Sequence, residues 1–245
     1  MKTKGLVPRT WRFIKKILII LLIGQFLYII LLRWVNPPIT ITQLSNWISG
    51  YGLKRDYVDF EDISYNARLA VIASEDQRFA VHNGFDWKSI EKAMKHNEEN
   101  KSRIRGASTI SQQVAKNVFL WQGRSWFRKG LETYFTFMIE LCWSKERILE
   151  MYLNVSEMGP GIFGIEAASQ AYYKKPASKL TQVEAARIAA CLPNPKKFKV
   201  EPPSRYVSAR GWVIVRQMKN IAGDPDIAAL INPDKKRIDA EKKKG

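Results

Sequence analysis

Cysteine and histidine are scarce in this chain, with two of each among 245 residues. Cys142 and Cys191 are too few for a disulfide framework, and no CxxC pair or Cys/His cluster has zinc-site spacing. The two thiols read either as a buried, reduced pair or as a single bridge, the second only in an oxidising compartment. Glycine (14) and proline (11) are modest while 46% of residues are apolar, which excludes a disordered or fibrous class. Acid is short: 23 Asp and Glu face 40 Lys and Arg, a formal net charge of +17. That balance fits nucleic acid, an anionic membrane surface or a phosphorylated substrate, and composition does not choose among them. Runs of alternating strand character and internal repeats are both missing, so the chain reads as mainly α.

One long hydrophobic run is present. Ile17 to Leu32 is uncharged and almost wholly apolar over 16 residues, roughly 24 Å of helix against a bilayer core of about 30 Å. Lys15, Lys16 and Arg33 can snorkel to close the gap, and Trp11 and Trp34 suit the two interfaces. A cleaved signal peptide is the rival reading, but Arg33-Trp34-Val35-Asn36-Pro37-Pro38 offers no small-residue cleavage site. Lys2, Lys4, Arg9, Arg12, Lys15 and Lys16 precede the run, and Trp34 to Leu53 carries no charge. The positive-inside rule therefore keeps the N-terminus in the cytoplasm and the domain outside, which argues against nucleic acid. The expected organisation is a cytoplasmic basic N-terminus (1–16), a transmembrane anchor (17–35), an irregular linker (36–56), one domain (57–222) and a basic tail (223–245).

Within the domain, Asp86 is an N-cap for a helix from Trp87 to about His96, followed by a polar loop at Asn97 to Arg105. Further helices are expected from Ser108 to Leu120, from Arg128 to Asn154 as one element or two, and from Gly164 to Tyr173. Another is expected behind the Thr181/Glu184 capping box, and a last one from Arg205 to Ala222.

Three clusters bear chemistry. Glu75-Asp76 follows the apolar run Leu69–Ala73, where a carboxylate is partly desolvated and more basic; taken alone, a solvated acidic turn is the plainer reading. Gly106 to Asn117 places Ile110, Val114 and Val118 on an inward stripe and Thr109, Gln113 and Lys116 on a neighbouring polar face. A lysine there, behind a glycine that exposes backbone amides, suits a phosphate; a plain amphipathic helix is the alternative. Arg124, Arg128, Lys129 and Glu132 lie among Trp121, Trp126 and Phe127. Guanidinium groups among aromatics fit pyrophosphate at a membrane surface, and an ordinary i,i+4 surface pair is the competing account.

Five ordered blocks carry a resemblance. Glu75-Asp76-x-x-Phe79-x-x-His82-x-Gly84 is followed by Gly106-x-Ser108-Thr109-Ile110-x-Gln112-Gln113-x-x-Lys116-Asn117 and by Arg128-Lys129-x-x-Glu132. Lys145-x-x-Ile148-Leu149-x-x-Tyr152-Leu153-Asn154 and Glu184 to Pro195 complete the set. Together they resemble the penicillin-binding-protein-type peptidoglycan glycosyltransferases, from about Asn36 to Met218. The resemblance implies a mainly α, lysozyme-like fold with a membrane-dipping lobe behind one N-terminal transmembrane helix. It implies polymerisation of lipid II, the undecaprenyl-pyrophosphate-linked GlcNAc-MurNAc-peptide, into β-1,4 strands with inversion at the anomeric carbon. The expected location is the inner (plasma) membrane.

Carried over residue by residue, Glu75 is the general base, and Lys116, Arg124 and Arg128 neutralise the pyrophosphate. Glu132 orients that cluster or helps hold a divalent cation such as Mg²⁺, although no metal-ligand spacing is visible. Asp76, Phe79, His82, Gly84, Gly106, Ser108, Thr109, Gln112, Gln113, Asn117 and Lys129 are carried over as substrate-binding. Ser89-x-x-Lys92 has no Ser-x-Asn or Lys-Thr-Gly companion, and fewer than 30 residues follow Met218, so a monofunctional enzyme without transpeptidase activity is expected. Expected partners are lipid II, the growing glycan chain, membrane lipids and wall-synthesis proteins of division or elongation. Two other readings stay open: a lytic transglycosylase, which needs no pyrophosphate cluster, and a tethered scaffold, which would tolerate loss of Glu75.

Overall fold

The structure, a computed structural model, describes residues 6–100, 106–123 and 125–232. Two compact units divide between Asn36 and Pro37. The first is α1, Leu6–Leu31. Its stretch Thr10–Leu31, 22 residues, is long and apolar enough to cross a membrane. At 1.5 Å per residue that is about 33 Å, longer than the uncharged run alone because the helix continues through the flanking residues. Ile17 to Ile23 are each 40% exposed or more, so this helix presents apolar surface that water does not favour. Lys15 lies over the Trp11 ring and Arg33 over the Trp34 ring, pairing cation and aromatic at either end of the run.

In the second unit most helices begin at a side-chain cap. Ser64 starts α3 (Tyr65–Glu75), Asp86 starts α4 (Trp87–Glu99) and Thr109 starts α5 (Ile110–Phe119). Ser125 starts α6 (Trp126–Cys142), Ser144 starts α7 (Lys145–Val155), Thr181 starts α9 (Gln182–Cys191) and Ser204 starts α10 (Arg205–Ile221). Each cap oxygen accepts a backbone N–H that the helix cannot satisfy itself. The helix α8 (Ile165–Tyr173) follows Gly164 without such a cap.

Several sequence expectations change. The stretch expected as an irregular linker holds α2 (Ile41–Ile48), closed by a capping box between Thr40 and Gln43, and β1 (Lys54–Arg55). The stretch expected as a basic tail begins with α11 (Pro225–Ile231), whose Ile227, Leu230 and Ile231 are buried; residues 233–245 lie outside the described residues. The segment from Arg128 to Asn154, expected as one helix or two, is two, because Ser144 caps a new one. A small sheet, ordered β1-β3-β2, joins β1 in parallel to β3 (Ile162–Phe163), which pairs antiparallel with β2 (Glu157–Gly159). These strands are too short to show alternation. Gly161 makes the turn with φ +66°, and a Cβ there would fall 2.1 Å from the Tyr51 carbonyl oxygen.

The core is built around α3. Residues 67 to 73 are buried without interruption, so the helix is covered on all sides. It packs on α9 and α10, and α5 packs on α6 and α7. Ala185, Ala186, Ala189 and Ala190 are the buried face of α9, and their small side chains let helices approach closely. Asn154, fully buried, donates to the Val58 carbonyl (2.9 Å) and accepts from the Val58 N–H (3.0 Å). That pairing ties the chain entering α3 to α7.

Candidate active site

Glu75 is the last residue of α3, where that largely buried helix opens onto a cleft of about 800 Å³. Across that cleft, α5 contributes Gln112, Gln113 and Lys116, and α6 contributes Arg128, Lys129 and Glu132. Gly106 and Ser108, both exposed, form one rim, and Leu192 and Pro193 after α9 form another. A second recess of about 350 Å³ also reaches Glu75, lined by Arg78, Ser89, Lys92 and the 106–109 segment. One carboxylate therefore borders both openings.

The Glu75 carboxylate is half-buried and accepts a hydrogen bond from Gln113 Nε2 at 2.8 Å. Burial raises its pKa above the ordinary carboxylate value. The Gln113 bond and the charges of Arg210 and Lys116 oppose that rise, and the Asp76 charge adds to it. Burial likewise lowers the pKa of the Lys116 ammonium; Glu132 and Glu75 pull it back up, and Arg128 and Lys129 push it further down. No hydrogen bond holds Lys116 Nζ among the described residues. Arg128 Nε is buried and has no partner among the described residues either. A cleft wall with an unpaired ammonium and an unpaired guanidinium N–H is set up for an anion.

Glu132, 3% exposed, is spent on this wall. One oxygen accepts from Arg128 at 2.8 Å and the other from Lys129. Among the described residues no three His, Cys, Asp or Glu side chains converge on one point. Among the described residues the donor set on this wall does not fit a resident divalent cation, since the deeply placed carboxylate there, Glu132, is already neutralised twice. Arg124 lies outside the described residues.

Several of the other motif residues build the frame instead of facing the cleft. Asp76 accepts from His82 Nε2 (2.9 and 3.0 Å) and from the Ile110 N–H (3.0 Å), so it fixes the end of α3 to the start of α5. Phe79 is fully buried beneath the Lys145 ammonium, 4.5 Å from the ring centroid. Gly84 has φ +86°, and a Cβ there would sit 2.8 Å from Thr136 Cγ2, so only glycine lets this turn lie against α6. Thr109 Oγ1 donates to the Gly84 carbonyl at 2.6 Å and closes a capping box with Gln112. Asn117 lines a smaller recess of about 310 Å³ that adjoins the cleft at Gln113 and Lys116.

Two residues near Glu75 were not singled out from the sequence for this chemistry. Tyr152, 1% exposed on α7, donates to Gln113 Oε1 at 3.2 Å. Arg210 on α10 acts on Glu75 through its charge. Tyr152 stood in a recognised block and had no assigned role; Arg210 carries no local signal, because only helix packing brings α10 to α3. Both cysteines are free thiols, and burial raises that of Cys191 to about 12.

Comparison with known proteins agrees with this geometry. The family model described as transglycosylase matches residues 42–219. The chain is 59% identical over 186 residues to the biosynthetic peptidoglycan transglycosylase of Escherichia coli (strain K12 / DH10B), covering 75% of this chain and 77% of the relative. The same protein from Shigella boydii serotype 4 (strain Sb227) matches with the same identity and coverage. With the match spanning α2 to α10 and both walls of the cleft, the chain belongs to the transglycosylase family.

Proposed function

We propose that this chain is a membrane-anchored peptidoglycan glycosyltransferase that joins lipid II units into a β-1,4 glycan strand. The observation that carries the reading is a desolvated carboxyl, Glu75, sharing one cleft with the Lys116 ammonium, which no side chain pairs among the described residues, and with Arg128, whose buried Nε–H has no partner among them. Glu75 takes the proton of the acceptor 4-hydroxyl as that oxygen attacks the anomeric carbon of the growing chain. The bond from that carbon to the lipid pyrophosphate breaks, the pyrophosphate leaves with the electron pair, and the configuration inverts. A base of raised pKa suits the first half of this step, and fixed positive charge suits the second. Lys116 and Arg128 face the leaving group, with Arg124 added on the strength of its motif. Glu132 holds Arg128 and Lys129 in place. The test is direct: the purified full chain in detergent is given lipid II, and polymer is separated from monomer. Absence of polymer, or release of anhydro-muropeptides from preformed glycan instead, would reject the reading.

The topology belongs to the same proposal, with the N-terminus cytoplasmic and the catalytic unit outside. Ser49→Cys, placed at an exposed position just after α2 in a Cys142→Ser background, is expected to react with a membrane-impermeant thiol reagent added to the outer face. Protection there, with labelling only after the membrane is broken, would reverse the orientation.

A lipid-linked substrate also requires the catalytic unit to reach the membrane surface. Aromatic residues of the 119–143 stretch divide into two sets. Phe119 stacks on Phe135, which is buried together with Trp143, and these make core. Trp126, Phe127, Phe137 and Leu141 are 60% exposed or more, on the outer face of α6. Apolar side chains that open, next to Lys129, suit the headgroup boundary. Protein shortened to begin at Asn36 is expected to bind liposomes containing anionic lipid. The Trp126→Ser, Phe127→Ser, Phe137→Ser triple variant should lose most of that binding with its helical circular dichroism intact. Equal binding by the two proteins would show that α6 does not enter the interface.

A further inference from the structure

The carboxylate of Glu75 is held by one end of an amide whose other end is tied to the protein interior. Its Oε2 accepts from Gln113 Nε2 at 2.8 Å, and the other end of that amide, Oε1, accepts from the Tyr152 hydroxyl at 3.2 Å. A primary amide has a donor end and an acceptor end, and only the donor end stabilises a carboxylate. Rotated by half a turn, Gln113 would present its oxygen to Glu75 and repel it. At the far end the Tyr152 hydroxyl, kept protonated by burial, donates to the amide oxygen and so holds Gln113 in this orientation together with Glu75, which can only accept. The phenol is locked in turn, because α7 packs on α5 and Tyr152 is 1% exposed. We infer that Tyr152 is a positioning residue for the transfer reaction: acting through Gln113, it aims an N–H at Glu75 and thereby holds the base ionised and pointed into the cleft. This inference rests on the proposed role of Glu75 and adds to it a relay that runs from the protein interior.

The other charges facing the relay come from three directions. Arg210 on α10 and Lys116 on α5 favour the ionised carboxylate, and Asp76, the next residue in the chain, opposes it. On the Tyr152 side, Glu75 and Cys191 on α9 are the titratable groups that face the ring. Apart from Glu75 itself, which accepts from Nε2, none of them is hydrogen-bonded to the amide, and Tyr152 holds its oxygen end.

The test compares wild type with Tyr152→Phe in the full chain, in detergent. Phenylalanine keeps the ring and deletes the hydroxyl that holds Gln113 Oε1. The hydrogen bond to Glu75 favours its charged form, so its loss moves the Glu75 titration upward. The acid limb of the kcat–pH profile is therefore expected to shift roughly one unit to higher pH, with KM nearly unchanged. At pH values above the shifted limb, kcat should return to within a few-fold of wild type, which a merely structural defect would not do. Gln113→Met, which removes the amide itself, should show the same upward shift and serves if Tyr152→Phe folds poorly. The Glu75 titration is also followed without turnover, by the carboxyl ¹³C shift of glutamate-labelled protein. That readout tests the relay even if the chain forms no polymer, a result that would sink the proposed reaction alone. An acid limb and a carboxyl titration that coincide with wild type in whichever variant is folded would overturn the relay.

Discussion

Replacing Glu75 by glutamine is expected to lower polymerisation of lipid II by roughly 10²- to 10⁴-fold, the range a general base supplies. At about 1.4 kcal/mol per decade that is about 3–5.5 kcal/mol of lost transition-state stabilisation. The amide cannot take the acceptor proton, but it fits the same space and can still pair with Gln113, so the fold should be unaffected. Circular dichroism and the melting temperature should match wild type while product disappears. Hydrogen bonding, not burial, separates the two adjacent carboxylates as candidates for the base, since Asp76 is the more buried of the pair. Asp76 has already spent both oxygens on His82 and the α5 N-terminus, whereas Glu75 holds one side-chain donor and faces open cleft. A folded Glu75→Gln protein that keeps more than a tenth of wild-type activity would remove Glu75 as the base.

The second large effect is expected at Lys116. Lys116→Ala removes a charge-assisted contact worth about 2–3 kcal/mol at a partly desolvated anion, and turnover should fall roughly 30- to 150-fold. The sign of its pH dependence follows from burial. The ammonium pKa is lowered, so the charge is complete at low pH and is lost as pH rises through that lowered value. Wild-type activity should accordingly decline on the alkaline side. Lys116→Arg should abolish that decline, because guanidinium stays charged, while recovering only part of the rate, because a planar fork does not reproduce a compact point charge. Alanine at this position with unchanged kcat and KM would place the pyrophosphate elsewhere.

Much of the fold was legible because helix starts are local events. A Ser, Thr or Asp that accepts the N2 or N3 amide does so through neighbours in sequence, and Asp86, Thr109 and Thr181 were readable on that basis. The apolar run of α1 was legible for the same reason. Helix α2 was missed because its eight residues follow two prolines and carry no charge. Helix α11 was missed because the lysines from Lys235 onward set the reading of the whole stretch and hid the Ile227–Leu230–Ile231 face before them. The three strands contain two or three residues each, too few for any periodicity.

The candidate site divides along the same line. Sequence by itself picked out the candidate residues Glu75, Lys116, Arg128 and Glu132, since each stands in a recognisable block. It also determined the anchor, whose requirement for a non-aqueous surrounding follows from composition alone. Tertiary structure decided which block residues face the cleft and which build its walls. Asp76, Phe79, His82 and Gly84 share a motif with Glu75, but their partners, on α5, α6 and α7 and within their own loop, lie inside the domain. It also decided that Tyr152 and Arg210 act on Glu75, across separations of 77 and 135 positions in the chain. The physical reason is that a hydrogen-bond cap is satisfied within a turn of helix, whereas the desolvation and charge that tune a base are summed over every element packed around it.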